Sequence, residues 1–213
     1  MTDLEELVAR EFFERSGFFI KRLHHANAEP TPASNKTKGK AKEIRLHPTY
    51  LVQRDTGRTQ NEPIGERFQL FSSDLGGLAV ATVIFFGWNT PGLNLQVFQS
   101  GARYRSWIRN EVLPSYATSL DNALSKISIP VTPLRVVLLP GLPAVEPYRQ
   151  ECIDLLKSGG VDAMYSLRTL IESLVGQVHP RPEVATSTVA ELIRLLKVYD
   201  LVRPPQMDLF EDL

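Results

Sequence analysis

Apolar and polar positions alternate along this chain with two periods, and one stretch has no alternation. Residues 79–86 read AVATVIFF, apolar but for Thr82. A run of that kind belongs in a strand covered on both faces, at the centre of a sheet. The neighbouring segments supply what would flank it. Leu4, Leu7 or Val8, and Phe12 recur at helical spacing, with Thr2 or Asp3 as cap and Glu5 and Glu6 in the first turn, where negative charge is favoured. Gly17 ends that helix, and residues 18–23 and 47–54 read as strands. A short strand over 67–71 leads to a tight connection at Gly76 and Gly77, and the central strand follows.

Beyond residue 101 the period lengthens. Trp107, Val112, Tyr116, Leu120 and Leu124 mark a helical stretch over 102–126. Pro114 interrupts or kinks it, because proline lacks an N–H and clashes with the preceding turn, so two helices are expected, one before Pro114 and one starting near it. Residues 134–139 (LRVVLL) form a buried strand, 146–157 a helix with Cys152, Ile153, Leu155 and Leu156 inward, and 161–165 a short strand. Ser166 caps a helix to about Val175, and Thr186 or Ser187 caps a last one with Val189, Leu192, Ile193 and Leu196 on its apolar face. Strands come first in a cluster and then alternate with helices. The expected class is α/β, a mixed central sheet flanked by helices with a helical C-terminal part. An α/β unit over 1–165, helices over 166–203 on the same core and a free tail over 204–213 is the expected organisation.

Composition narrows the function classes. Lys plus Arg is 24 and Asp plus Glu is 24, so the net charge is zero. That argues against a broad non-specific nucleic-acid surface. The single cysteine, Cys152, allows no intrachain disulfide and no cysteine-built zinc site, and on an apolar helix face it reads as buried and inert. No apolar run reaches membrane-spanning length and the start lacks a secretory pattern, so a cytoplasmic protein is expected. His24, His25, His47 and His179 have no spacing that demands a metal or a nucleophile, and read as surface residues. No phosphate-loop pattern is present.

Two basic groups remain. Residues 26–42 hold two prolines and Lys36, Lys38, Lys40 and Lys42 in alternation, a mobile basic loop by composition. Arg103, Arg105 and Arg109 lie near Tyr104 and Trp107. Each group is placed either to contact a phosphate backbone or to form a solvated face.

The order of elements, together with the run VIFFGW followed by Asn89 and Thr90, resembles the PD-(D/E)xK nuclease superfamily over roughly residues 3–165. The resemblance implies a restriction-endonuclease-like core and a Mg2+ site made by an acid early in one strand and an acid-x-lysine pair on the next. Magnesium needs oxygen ligands. Here the matching positions hold Pro48, Thr49 and Tyr50, then Ile84, Phe85 and Phe86, and the only lysine between Ala41 and Lys126 is Lys42. The resemblance therefore implies a degenerate, non-catalytic member without a cofactor. An active magnesium enzyme would need migrated acids, and Asp55, Glu66 and Asp74 are the candidates. Asp74 also suits the simpler role of bonding to its own turn, and Glu6 that of a first-turn acid.

Gln206, Met207, Asp208, Leu209 and Phe210 resemble the peptide by which bacterial replication and repair proteins bind the sliding clamp. Following Pro204 and Pro205, the apolar anchors would enter a pocket and Gln206 would set the register. Folding back onto the chain's own core is the competing expectation. A nuclease-like protein acting in DNA restriction, defence or repair with a protein partner is the expected function. An active nuclease and a purely structural assembly subunit stand as the alternatives.

Overall fold

The computed structural model describes residues 4–23, 46–55, 60–63, 65, 67–125, 127, 131–181 and 187–202. Helix α1 (Leu4–Arg15) is followed by β1 (Phe18–Leu23) and β2 (Thr49–Arg54), and after a 3-10 turn (Ser72–Gly77) comes β3 (Val80–Phe85). A short α2 (Leu95–Gln99), α3 (Gly101–Trp107) and α4 (Leu113–Leu124) precede β4 (Leu134–Leu139). Then come α5 (Tyr148–Ser158), β5 (Ala163–Ser166), α6 (Leu167–Gln177) and α7 (Thr188–Val198).

Among the described residues the strands form one five-stranded sheet in sequence order. β1, β2 and β3 are antiparallel, while β3, β4 and β5 are parallel. The expected apolar strand is the middle one, and all of its residues are buried. Its alternation assigns the two faces. Ala81, Val83 and Phe85 point with Val136, Leu138 and Tyr165 toward α1, α6 and α7. Ile84 and Phe86 point with Val137, Leu139 and Met164 toward α3, α4 and α5. Phe12 and Phe13 meet the Tyr165 ring edge-on at 5.8 and 5.6 Å, tying α1 to β5.

Several local expectations change. Residues 67–71 are not a strand, since only Gln69 makes an isolated parallel bridge to Met164. Leu70 N donates to the Met164 carbonyl and Met164 N to the Phe68 carbonyl, both at 2.8 Å. Arg67 and Phe71 on either side are exposed, so pairing has nothing to bury beyond that point. The tight connection at Gly76 and Gly77 is the end of the 3-10 turn. Pro114 sits in the first turn of α4, and residues Ile108–Val112 before it form a π-helical turn. That wider turn carries the helix through the proline without a break. Ser166 and Ser187 cap α6 and α7 by accepting from Thr169 N and Ala190 N. Phe19 is exposed on edge strand β1, whereas an aromatic cluster over Phe12, Phe13, Phe18 and Phe19 is expected to be core throughout. His47 is buried with its ring 4.4 Å from Phe86, and its backbone N–H donates to Ser119 Oγ at 3.0 Å, so it is no surface histidine.

Candidate functional site

Two of the three expected acids, Asp55 and Asp74, lie among the described residues. Asp55 is exposed at the end of β2. Asp74 accepts from Phe71 N at 2.8 Å, bonding its own turn, and pairs with Arg67 at 3.0 Å. With Asn61, Glu62 and Ser73 it lines a cleft of about 240 Å³. Glu66 lies outside the described residues, and among the described residues no cluster of three or more His, Cys, Asp or Glu is arranged to hold a metal.

Glu6 is more than a first-turn acid. It is only 9% exposed. It accepts a hydrogen bond from the Tyr50 hydroxyl and pairs with Arg22 at 3.3 Å. Val52, Val83, Phe85 and Leu138 line a small cavity of about 10 Å³ beside it. The carboxylate's acceptor sites thus face a phenol and a guanidinium, with hydrocarbon around them.

The arginines of α3 and the π turn divide as well. Arg105 is tied to Glu151 of α5, which raises its pKa through the hydrogen bond and the carboxylate charge. Arg103 and Arg109 are exposed. Lys36, Lys38 and Lys40 lie outside the described residues, as do Gln206, Met207, Asp208, Leu209 and Phe210. Cys152 is fully buried, and burial followed by the Glu151 charge pushes its thiol up to about 11. Thiolate is the reactive form, so Cys152 should resist a disulfide reagent at neutral pH and react fully only after denaturant is added; fast labelling of the folded chain would contradict its placement.

A larger opening lies elsewhere, at the carboxyl ends of the parallel strands. It measures about 1030 Å³. β4 runs into a Pro-Gly-Leu-Pro loop and then α5 on one face of the sheet, whereas β5 runs into α6 on the other. Two adjacent parallel strands whose connections leave to opposite faces open a crevice between them, which is where open α/β sheets bind ligands. One wall is aromatic. Trp88 meets Phe98 edge-on at 5.1 Å, Phe98 meets Tyr104 at 5.4 Å, and Tyr104 stacks on Trp107 at 5.1 Å. The Tyr104 hydroxyl donates to the Gly141 carbonyl at 2.8 Å and so anchors the loop. Gly101 lets the Tyr148 ring close over the start of α3, because a Cβ there would stand 2.4 Å from that ring. The other wall is the first turns of α6, where Arg168 pairs with Glu172 at 2.6 Å. Arg149 also lines the cleft, and its guanidinium donates to Gln69 Oε1 at 3.0 Å.

Sequence reasoning did not find this cleft. The signal available was the loop of prolines and a glycine directly after an apolar strand; what was hidden was that β5 lies parallel beside it.

No protein-family model, no curated protein and no solved structure matches the chain.

Proposed function

We propose that this chain is a nuclease-like scaffold, a degenerate relative of the PD-(D/E)xK enzymes, that takes part in DNA restriction, defence or repair through a protein partner and without cleavage chemistry of its own. The observation that carries the reading is the surroundings of Glu6. Its carboxylate is engaged by Tyr50 and Arg22, and the small cavity beside it, about 10 Å³, is lined by Val83, Phe85 and Leu138. A hard divalent cation needs six or so oxygen ligands, its own waters included, and this surrounding offers hydrocarbon instead. The order of helix, antiparallel strands, helices and a parallel strand supports the nuclease-like layout.

The partner half of the reading draws on α7. Its inner residues Val189, Ala190 and Ile193 are buried, yet Leu192, Leu195, Val198 and Tyr199 are exposed, with Leu201 beyond. A contiguous exposed apolar face of this kind marks an interaction surface, and the clamp-like residues Gln206 to Phe210 follow a few positions later. The same face favours the assembly-subunit reading, in which the partner has no role on DNA.

One experiment separates these. Purified chain is incubated with plasmid in millimolar Mg2+ or Mn2+, and in parallel titrated with a bacterial sliding clamp. The expected result is intact plasmid, and clamp binding that Leu209→Ala with Phe210→Ala weakens by a factor on the order of 30 or more, as for paired anchor residues. Cleavage that Asp74→Asn abolishes would restore the active nuclease. Intact plasmid with no clamp binding would leave the assembly subunit.

A further inference from the structure

The geometry points to the cleft at the ends of β3, β4 and β5 as a binding site for a small aromatic anion, a function separate from any DNA role. Its volume of about 1030 Å³ lies at the upper end of the range for small-molecule sites. Such sites are apolar with a few placed polar groups, and this one has that make-up. Trp88 ends an aromatic row and is 38% exposed at the cleft edge. Trp88, Phe98 and Tyr148 line the cleft together with Pro140, Leu142 and Val145, a lining that suits a flat ring system.

Charge selects the rest of the ligand. Two arginines and one glutamate line the cleft, and the glutamate, Glu172, is neutralised by Arg168. Arg149 is different. It is half-buried, its partner is the neutral amide oxygen of Gln69, and no carboxylate pairs with it among the described residues. A fixed guanidinium with remaining donors and unbalanced charge is the group that best receives a carboxylate, sulfonate or phosphate. The bond to Gln69 holds it in place before binding, which reduces the ordering cost. The α6 N-terminus, opening on the same cleft at Ser166, adds a favourable dipole but is not needed for the assignment.

The test compares two dyes of nearly equal shape on the full chain: 1-anilinonaphthalene-8-sulfonate, which is anionic, and N-phenyl-1-naphthylamine, which is neutral. Arg149→Gln is expected to weaken the sulfonate about tenfold, the equivalent of one lost charge-assisted bond, while the neutral dye changes by less than about twofold. Arg149→Lys should restore most of the difference. Ala144→Glu, at an exposed position on the cleft lip, tests the same point without touching a structural contact, and should weaken the sulfonate alone by several-fold. Leu195→Ser on α7 should change neither dye. The proposal is overturned if the wild-type chain binds neither dye, if both dyes weaken equally in the cleft variants, or if Leu195→Ser rather than the cleft variants removes binding.

Discussion

Shortening Leu138 to alanine is expected to lower the unfolding free energy by about 2–5 kcal/mol. Leu138 is fully buried in β4, one strand from the sheet centre, and packs in the layer that α1 and α6 cover. Loss of its branched end removes both transfer energy and packing, and the parallel sheet around it has little freedom to collapse. A domain of ordinary stability has roughly 5–15 kcal/mol in total, so this one change removes a large share of it. The counterpart is Leu195→Ala on α7, 47% exposed, for which a change within about 0.5 kcal/mol is expected. Urea unfolding of both variants, with unchanged denaturant slope, makes the comparison. A cost under about 1 kcal/mol at Leu138 would contradict the sheet placement. A large, concentration-dependent cost at Leu195 would mean that the outer face of α7 is already covered by a second copy, and the search for its partner would start there.

The contrast between those two leucines also shows how far the pattern of the chain can be read. The central strand was legible because an unbroken apolar run needs cover on both sides, and the serine caps were legible because capping is a local bargain between one side chain and a backbone three residues on. Leu192 read as core because helical spacing places it beside Ile193 and Leu196, but spacing cannot say how wide a helix face its neighbours will cover. The same blindness hid the cleft. Trp88, Phe98, Tyr148, Arg149 and Ser166 come together only because β5 lies parallel beside β4 and sends its helix to the opposite face. The Glu6–Tyr50 contact spans 44 positions, and nothing near either residue announces the other. Asp74 was the easier case: its bond to the Phe71 N–H is three residues long, and the turn explains it without reference to any site.

Alkali is expected to unfold the chain, and the buried phenols supply the reason. Tyr104, Tyr116 and Tyr165 all have pKa values raised well above the usual 10, first by loss of solvent around the phenolate. The nearest hydrogen-bond geometry agrees. Tyr104 and Tyr116 donate to the carbonyls of Gly141 and Gly160, at 2.8 and 3.2 Å, and a phenolate has no proton to donate. Tyr165 has no hydrogen-bond partner among the described residues, so its charged form would be buried bare. Cys152, at about 11, behaves in the same way. A group whose value is raised by folding stabilises the folded state in full below its unfolded value, and that contribution disappears as pH rises through the folded value. Stability should therefore be flat near neutrality, begin to fall above about pH 9 as the thiol titrates in the unfolded chain, and fall more steeply above about pH 10 as the tyrosines follow. Each tenfold preference for the protonated form is worth about 1.4 kcal/mol, and several such groups together approach the whole stability of a domain. Circular dichroism and the 295 nm phenolate band, followed together against pH, read the result: the band of the buried phenols should appear only as the fold is lost. Tyr165→Phe removes an unpaired hydroxyl and should leave stability at pH 7 unchanged or raise it by about 1 kcal/mol, while making the fall above pH 10 shallower. If the tyrosines titrate near 10 with the fold intact, they are not buried as described, and the aromatic wall that anchors the cleft through Tyr104 would have to be redrawn.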